Sequence, residues 1–238
     1  MFRECVDFVS IVSCRHFRGW RYGNYGNNLY EDYIVGRVNG LETTILRSVF
    51  ARRIFGTRGT TMGNTLGVSL SKEYPPWLFP WNWSSIYATS PAYTAATNPD
   101  IVCHTALDGI LASHINREFS WCESALNSIS VTGYHPEKYG YISVLRLVDA
   151  DLETSHLVLD GNHRLSALVA LNATEVRVKV LGQVSHNNSR FWPGVLTGRI
   201  RHDDATSIFR RYFRPENPLI QELEPNAMLV RDEELATS

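Results

Sequence analysis

Residues 155–180 read SHLVLDGNHRLSALVALNATEVRVKV. An apolar run ends at Asp160, and the turn formers Gly161 and Asn162 follow, then His163 and Arg164. Leu165, Leu168 and Val169 recur at the spacing that places them on one face of a helix, predicted over 162–171. Asn172 suits the left-handed conformation that ends a helix. EVRVKVL then alternates Val176, Val178 and Val180 with Arg177 and Lys179, the pattern of a strand with one buried face. Strand, helix and strand at this length predict a right-handed crossover between parallel strands.

The join between strand and helix invites chemistry. The first N–H groups of a helix have no partner within it, and the helix dipole adds partial positive charge there, so an anion such as a phosphate is stabilised. Gly161 permits a positive φ or close approach of a ligand. Asn162 is read as the cap of the helix. His163 and Arg164 fall in the first turn, where the dipole disfavours cations and a bound anion would offset that cost. Asp160, at the carboxyl end of the strand, could hold Mg²⁺ or orient His163. The competing reading is a turn whose arginine pairs with a neighbouring carboxylate and whose histidine is an ordinary surface residue.

Outward from this stretch, YISVLRLV (141–148) alternates and reads as a further strand. Residues 105–131 are predicted as two helices, the second opened by Ser120 as cap with Glu123 three residues later, and Gly133 closes it. LETTILRSVFARRIF predicts a helix over 41–55. Residues 1–40, rich in aromatics, Gly and Asn, are read as turns and short helical pieces. YPPWLFPWNWSS, from Tyr74, carries three prolines and three tryptophans, which forbid a long helix or a central strand. It is read as a clamp pinned by its rings, with the wall of a ligand pocket as the alternative. Asp203 is expected to cap a helix whose apolar stripe is Ile208, Phe209, Tyr212 and Phe213. After Pro215 the chain is acidic and irregular.

The chain has 238 residues, 44% of them hydrophobic and 11% aromatic, enough for a packed core. Its net charge is −1, which argues against a general nucleic-acid footprint. Arg37, Arg47, Arg52, Arg53 and Arg58 form a local basic run, read as a solvated helix face with a phosphate-bearing partner as the minority alternative. Cys5, Cys14, Cys103 and Cys122 lie too far apart for a zinc knuckle or redox pair and are read as reduced core thiols. MFRECVDFVSIVSCRHFRGW places charges inside its apolar run, unlike a signal peptide, so a cytoplasmic protein is expected.

LVLDGNHRLSALVALNATEVRVKV resembles the signature of the ParB/sulfiredoxin superfamily, in which a strand enters a D-G-x-H-R turn followed by an Ala- and Leu-rich helix and a β-branched strand. Together with ESALNSISVTGYHPEKYGYISVLRL upstream, the resemblance spans residues 105–182, about a third of the chain. It implies an α/β (α+β) fold with a small mixed sheet, helical and loop-rich at both ends. The corresponding division is an extension over 1–100, a core with its C-terminal helix over 101–215, and a tail over 216–238. Sulfiredoxins place a catalytic Cys where Asn162 stands, so sulfinic-acid repair is not expected. Chromosome-partition members carry a helix-turn-helix domain after the core and a more Arg-rich box, neither of which is read in this sequence, so DNA segregation is not expected.

The Asp-Gly-Asn-His-Arg form looks closest to the free-serine kinase branch, which uses ATP or ADP with Mg²⁺. That likeness implies Gly161, Asn162, His163, Arg164 and Ser166 as nucleotide contacts and Asp160 as metal ligand. Glu118, Asp160 and His163 are then the catalytic set, Glu118 taking the proton of an acceptor hydroxyl, with Glu123 as second choice. Lys138 and Tyr139 are expected at the pocket rim, and Arg199 and Arg201 are weak candidates for closing over a phosphate. The acceptor implied is a sugar, polyol or hydroxy amino acid, with a link to surface-polysaccharide synthesis; a homodimer is the candidate assembly. The alternatives are a non-catalytic nucleotide-binding regulatory module and a nuclease-like protein. No DNA partner is expected: a gel shift at physiological salt should show no sub-micromolar, sequence-dependent complex, and such a complex would overturn the charge argument.

Overall fold

The computed structural model describes residues 5–23, 28–56, 61–74, 78–82 and 107–214. The fold is mixed α/β, with helices on both faces of a five-stranded mixed sheet. The strands are β1 (Cys5–Ser10), β2 (Cys14–Arg15), β3 (Ile142–Val148), β4 (Thr154–Asp160) and β5 (Glu175–Ser185), in the order β1-β5-β3-β4-β2. The tail over 216–238, Cys103 and the stretch after Asn82 in the aromatic segment lie outside the described residues.

β3 and β4 form an antiparallel hairpin. Its turn is built by Asp149, whose Oδ1 accepts from the N–H groups of Asp151 and Glu153, each at 2.9 Å, and by Leu152 at φ 66°. The hairpin occupies one edge of β3, so the chain returning from β4 must reach the other edge. β5 accordingly pairs parallel with β3, and β4 and β5 run in opposite directions without touching. The predicted parallel pairing of the strands flanking the 162–171 helix is thereby corrected: the parallel partner of β5 is β3.

The first fifteen residues, read as turns and short helical pieces, supply both edge strands, β1 on β5 and β2 on β4. Only Val9 of β1 is deeply buried, so the core-facing alternation that marks an interior strand is missing there.

The two faces of the sheet bury different side chains, as a period of two requires. On one face Ile142, Val144, Val158, Val176, Val178 and Val180 meet three helices. These are α1 (Leu29–Val38), α4 (Leu107–Thr132) and α6 (Asn162–Ala170). On the other, Leu145, Leu147, Leu157 and Val184 meet Ile208, Phe209 and Tyr212 of α8 (His202–Arg211). Between Val180 and Gly182 the pairing with β3 slips by one residue, and Val184 turns to the second face. Phe79 and Trp81 pack into that second cluster, the clamp arrangement for the described part of the aromatic segment. Trp81 lies 5.6 Å from Trp192 and 5.7 Å from Phe209, ring to ring.

α2 spans Thr43–Gly56, near the predicted range. α4 is one continuous helix where two were expected, so Ser120 is a mid-helix residue and not a cap. α8 is capped at Arg201, with Asp203 in its first turn. Cys14 and Cys122 are buried, whereas Cys5 is exposed and is no core thiol. Among the described residues, no helix is long and apolar enough to cross a membrane.

His156, in the middle of β4, is 6% exposed, and its Nδ1 lies 2.9 Å from Ser13 Oγ. Burial, helped by the neighbouring Arg146 guanidinium, pushes its pKa down to about 4. Because the folded value lies below the unfolded one, the unfolded chain binds more protons between the two, and stability present above about pH 6.5 is lost as pH falls towards 4. His156→Asn should flatten the fall of unfolding free energy across that window, by on the order of 3 kcal/mol, read from denaturant unfolding at each pH. An unchanged pH slope in the variant would overturn this.

Candidate functional site

The site forms where β4 ends and α6 begins. Gly161 has φ +93°, and a Cβ there would stand 2.8 Å from Ile142 Cγ1 and 3.2 Å from Ile142 Cα. Any other residue would be strained at that φ and would also push the turn off β3. Gly161, not Asn162, is the N-cap, and no side chain caps the helix. Asn162 takes the first helical position, where its Oδ1 accepts from Tyr22 Oη at 2.6 Å.

His163 and Glu118 come together. His163 Nε2 lies 2.7 Å from Glu118 Oε2. Glu118 is 6% exposed and sits inside α4, not at a helix mouth. A charge there gains nothing from a helix end, so the His163 contact is the compensation for its burial that the geometry shows. The imidazole contacts two rings, Tyr30 at 5.0 Å edge-on and Trp121 at 5.5 Å. His163 Nδ1 has no hydrogen-bond partner among the described residues.

Behind this pair lies a buried aromatic and basic layer from the N-terminal segment. His16 stacks on Trp20 at 4.7 Å and lies 5.7 Å from Tyr30. Burial holds the His16 pKa well below the usual range, and the charges of Arg18 and His163 lower it further. The Tyr30 pKa is raised by burial and then by the Glu118 carboxylate. Cys122 is likewise pushed up, by burial first and by Glu118 and Glu123 after it, so it is a poor nucleophile.

Arg164 is engaged with the protein itself. It donates to the carbonyl oxygens of Gly140, Tyr139 (3.4 Å) and Tyr141 (3.5 Å), and to Asp160 Oδ2 at 2.9 Å. Its two terminal nitrogens thus staple the loop before β3 to the start of α6. Asp160 faces Arg164 and not His163; Glu118 is the carboxylate that orients the imidazole. Ser166 is fully buried in the core-facing side of α6, and its Oγ has no partner among the described residues, so it offers no ligand contact in this arrangement.

The remaining candidates disperse. Glu123 accepts from Tyr33 Oη at 2.7 Å and from Arg37 Nε at 2.8 Å, tying α1 to α4. Arg47 lies 5.1 Å over the Phe119 ring. Arg52 and Arg53 fall within α2, and Arg58 lies outside the described residues. Lys138 covers the exposed ring of Tyr139, 4.9 Å away. Arg201, whose N–H donates to Tyr74 Oη at 3.3 Å, belongs to the opposite face of the sheet. Among the described residues, no three His, Cys, Asp or Glu side chains gather as a metal cluster.

Sequence reasoning missed Tyr22, Tyr30, His16 and Trp121. Trp121 had a signal, its spacing of three from Glu118 on one helix, which places both on one face. Comparison of the chain with protein-family models, curated proteins and solved structures finds no match.

Arg164→Ala should lower stability by about 1–3 kcal/mol, through the loss of its carbonyl and carboxylate partners, while nucleotide affinity stays within about threefold. Denaturant unfolding beside titration calorimetry checks this. A variant of full stability with affinity reduced tenfold or more would return Arg164 to a phosphate-binding role.

Proposed function

We propose that the chain is a nucleotide-dependent phosphotransferase of the cytoplasm, with a core of the ParB/sulfiredoxin type. It transfers a phosphoryl group from ATP or ADP to a hydroxyl of a sugar, polyol or hydroxy amino acid. The observation that carries this reading is the His163–Glu118 pair, 2.7 Å apart, at the uncapped start of α6. A buried carboxylate on one imidazole nitrogen fixes the tautomer and leaves the other nitrogen to accept a proton.

His163 Nδ1 takes the proton of the acceptor hydroxyl, and Glu118 positions the ring and stabilises the imidazolium. As the hydroxyl oxygen bonds to the terminal phosphorus, the bond from that phosphorus to the bridging oxygen breaks, and its electron pair leaves with the shortened nucleotide. The N–H groups of the first turn of α6 receive phosphate oxygens. Mg²⁺ accompanying the nucleotide needs few protein ligands, and Asp160, with its carboxylate largely exposed, fits that modest requirement. When bound, the ion would neutralise phosphate charge.

One observation favours a second reading, a nucleotide-binding regulatory module without turnover. The arginine next to the turn is engaged with the protein itself, which leaves the phosphate cradle with fewer cations than a kinase commonly uses.

Incubation with ATP or ADP, Mg²⁺ and a panel of hydroxylated metabolites separates the two, since only the first predicts nucleotide consumption. Glu118→Gln and His163→Asn should each lower turnover by about 10²–10⁴-fold with nucleotide affinity nearly unchanged. The double variant should be little worse than either, because the residues act as a unit. Folded single variants turning over within a few-fold of the parent would remove the dyad from the mechanism.

A further inference from the structure

Trp121 stands three residues beyond Glu118 on α4, so the two side chains share a face of the helix. It is 42% exposed, although its ring is only 5.5 Å from that of His163. Arg117, four residues before it, places its guanidinium 6.0 Å from the centre of the indole. The imidazole thus meets the edge of Tyr30 and also borders a large aromatic surface open to solvent. Exposed apolar residues scattered singly are ordinary. This one differs because it touches the group that would take the proton.

That position restricts what can lie on the indole. In phosphoryl transfer the proton acceptor meets the attacking hydroxyl, whereas the base of the nucleotide is separated from the transferred phosphorus by the ribose and at least one further phosphate. The moiety beside both His163 and Trp121 is therefore part of the acceptor and not the nucleobase. The geometry points to a pyranose ring as that acceptor, lying with its C–H face on Trp121 while Arg117 donates to hydroxyl or acidic groups at its rim. This inference rests on the phosphotransferase reading and narrows its substrate class. The negative face of an indole matches the weakly positive C–H face of a sugar ring. A hydroxy amino acid or a short polyol presents no such face, and the five donors of a guanidinium suit a substrate with many oxygens.

Saturation-transfer NMR on the full chain tests this with the methyl pyranosides of glucose, galactose and N-acetylglucosamine as probes, and with L-serine and glycerol as open-chain controls. Turnover is measured in parallel with ATP and Mg²⁺. At least one pyranoside should receive saturation on its ring protons in the parent. Trp121→Ala should abolish that transfer and raise the KM for the pyranoside about 10–100-fold with kcat within threefold, and Trp121→Phe should retain most of both. Trp121→Gln repeats the measurement should the alanine variant melt early. Turnover on L-serine or glycerol that is indifferent to Trp121 would overturn the pyranose inference and leave the phosphotransferase standing. Pyranoside binding that depends on Trp121, without nucleotide consumption for any acceptor, would keep the sugar site and remove the phosphotransferase. No pyranoside binding in the parent would overturn the inference outright.

Discussion

Where β4 gives way to α6, the Gly161 backbone lies so close to Ile142 that no methyl group fits between them. This contact ties the start of α6 to the start of β3, and Arg164 closes it from outside by gripping the carbonyls of residues 139–141. Helix position follows from it. With α6 fixed at its first residue, Leu165 and Leu168 enter the core under the sheet, and His163 is aimed at α4. The site is rigid for the same reason, since its histidine stands on a helix whose first turn is held on two sides.

The buried polar groups around this turn have a consistent logic. A carboxylate as enclosed as Glu118 costs several kcal/mol unless it is paired, and the imidazole of His163 is one such partner. The ring of Tyr30 packs edge-on against that imidazole. Fixed dipoles and charges that need no rearrangement at the moment of reaction are what transition-state stabilisation requires. The same arrangement keeps Cys122 an unreactive thiol beside Glu118.

The opposite face of the sheet does different work. There the aromatic cluster of Trp81, Trp192, Phe209 and Tyr212 is packed ring on edge, and Asp204 accepts from Tyr74 Oη and from Ser71. These contacts anchor the proline- and tryptophan-rich segment to α8. They account for the burial of Tyr74, Phe79 and Trp81, and they lie on the far side of the sheet from His163.

Much of the fold follows from the sequence by itself. The strands over 142–148, 154–160 and 175–185 and the helix after the Asp-Gly turn are encoded in periodicity, and the left-handed ends at Gly133 and Asn172 in residue type. These are local properties, set by neighbours within a turn or a pleat. Pairing was not local. β5 lies parallel to β3 because the hairpin had already filled the other edge of β3, and no periodicity within 162–180 records that. β1 was missed because an edge strand with one deeply buried side chain has no strong alternation. At the site, Glu118 and His163 were both singled out from the sequence, but their contact was not. Only the continuity of α4 and its packing on α6 buried Glu118 and brought it to the imidazole. Arg164 turned inward for a comparable reason. The carbonyls that satisfy it come from a loop more than twenty residues away, and such partners exist only once the sheet has brought the two ends together.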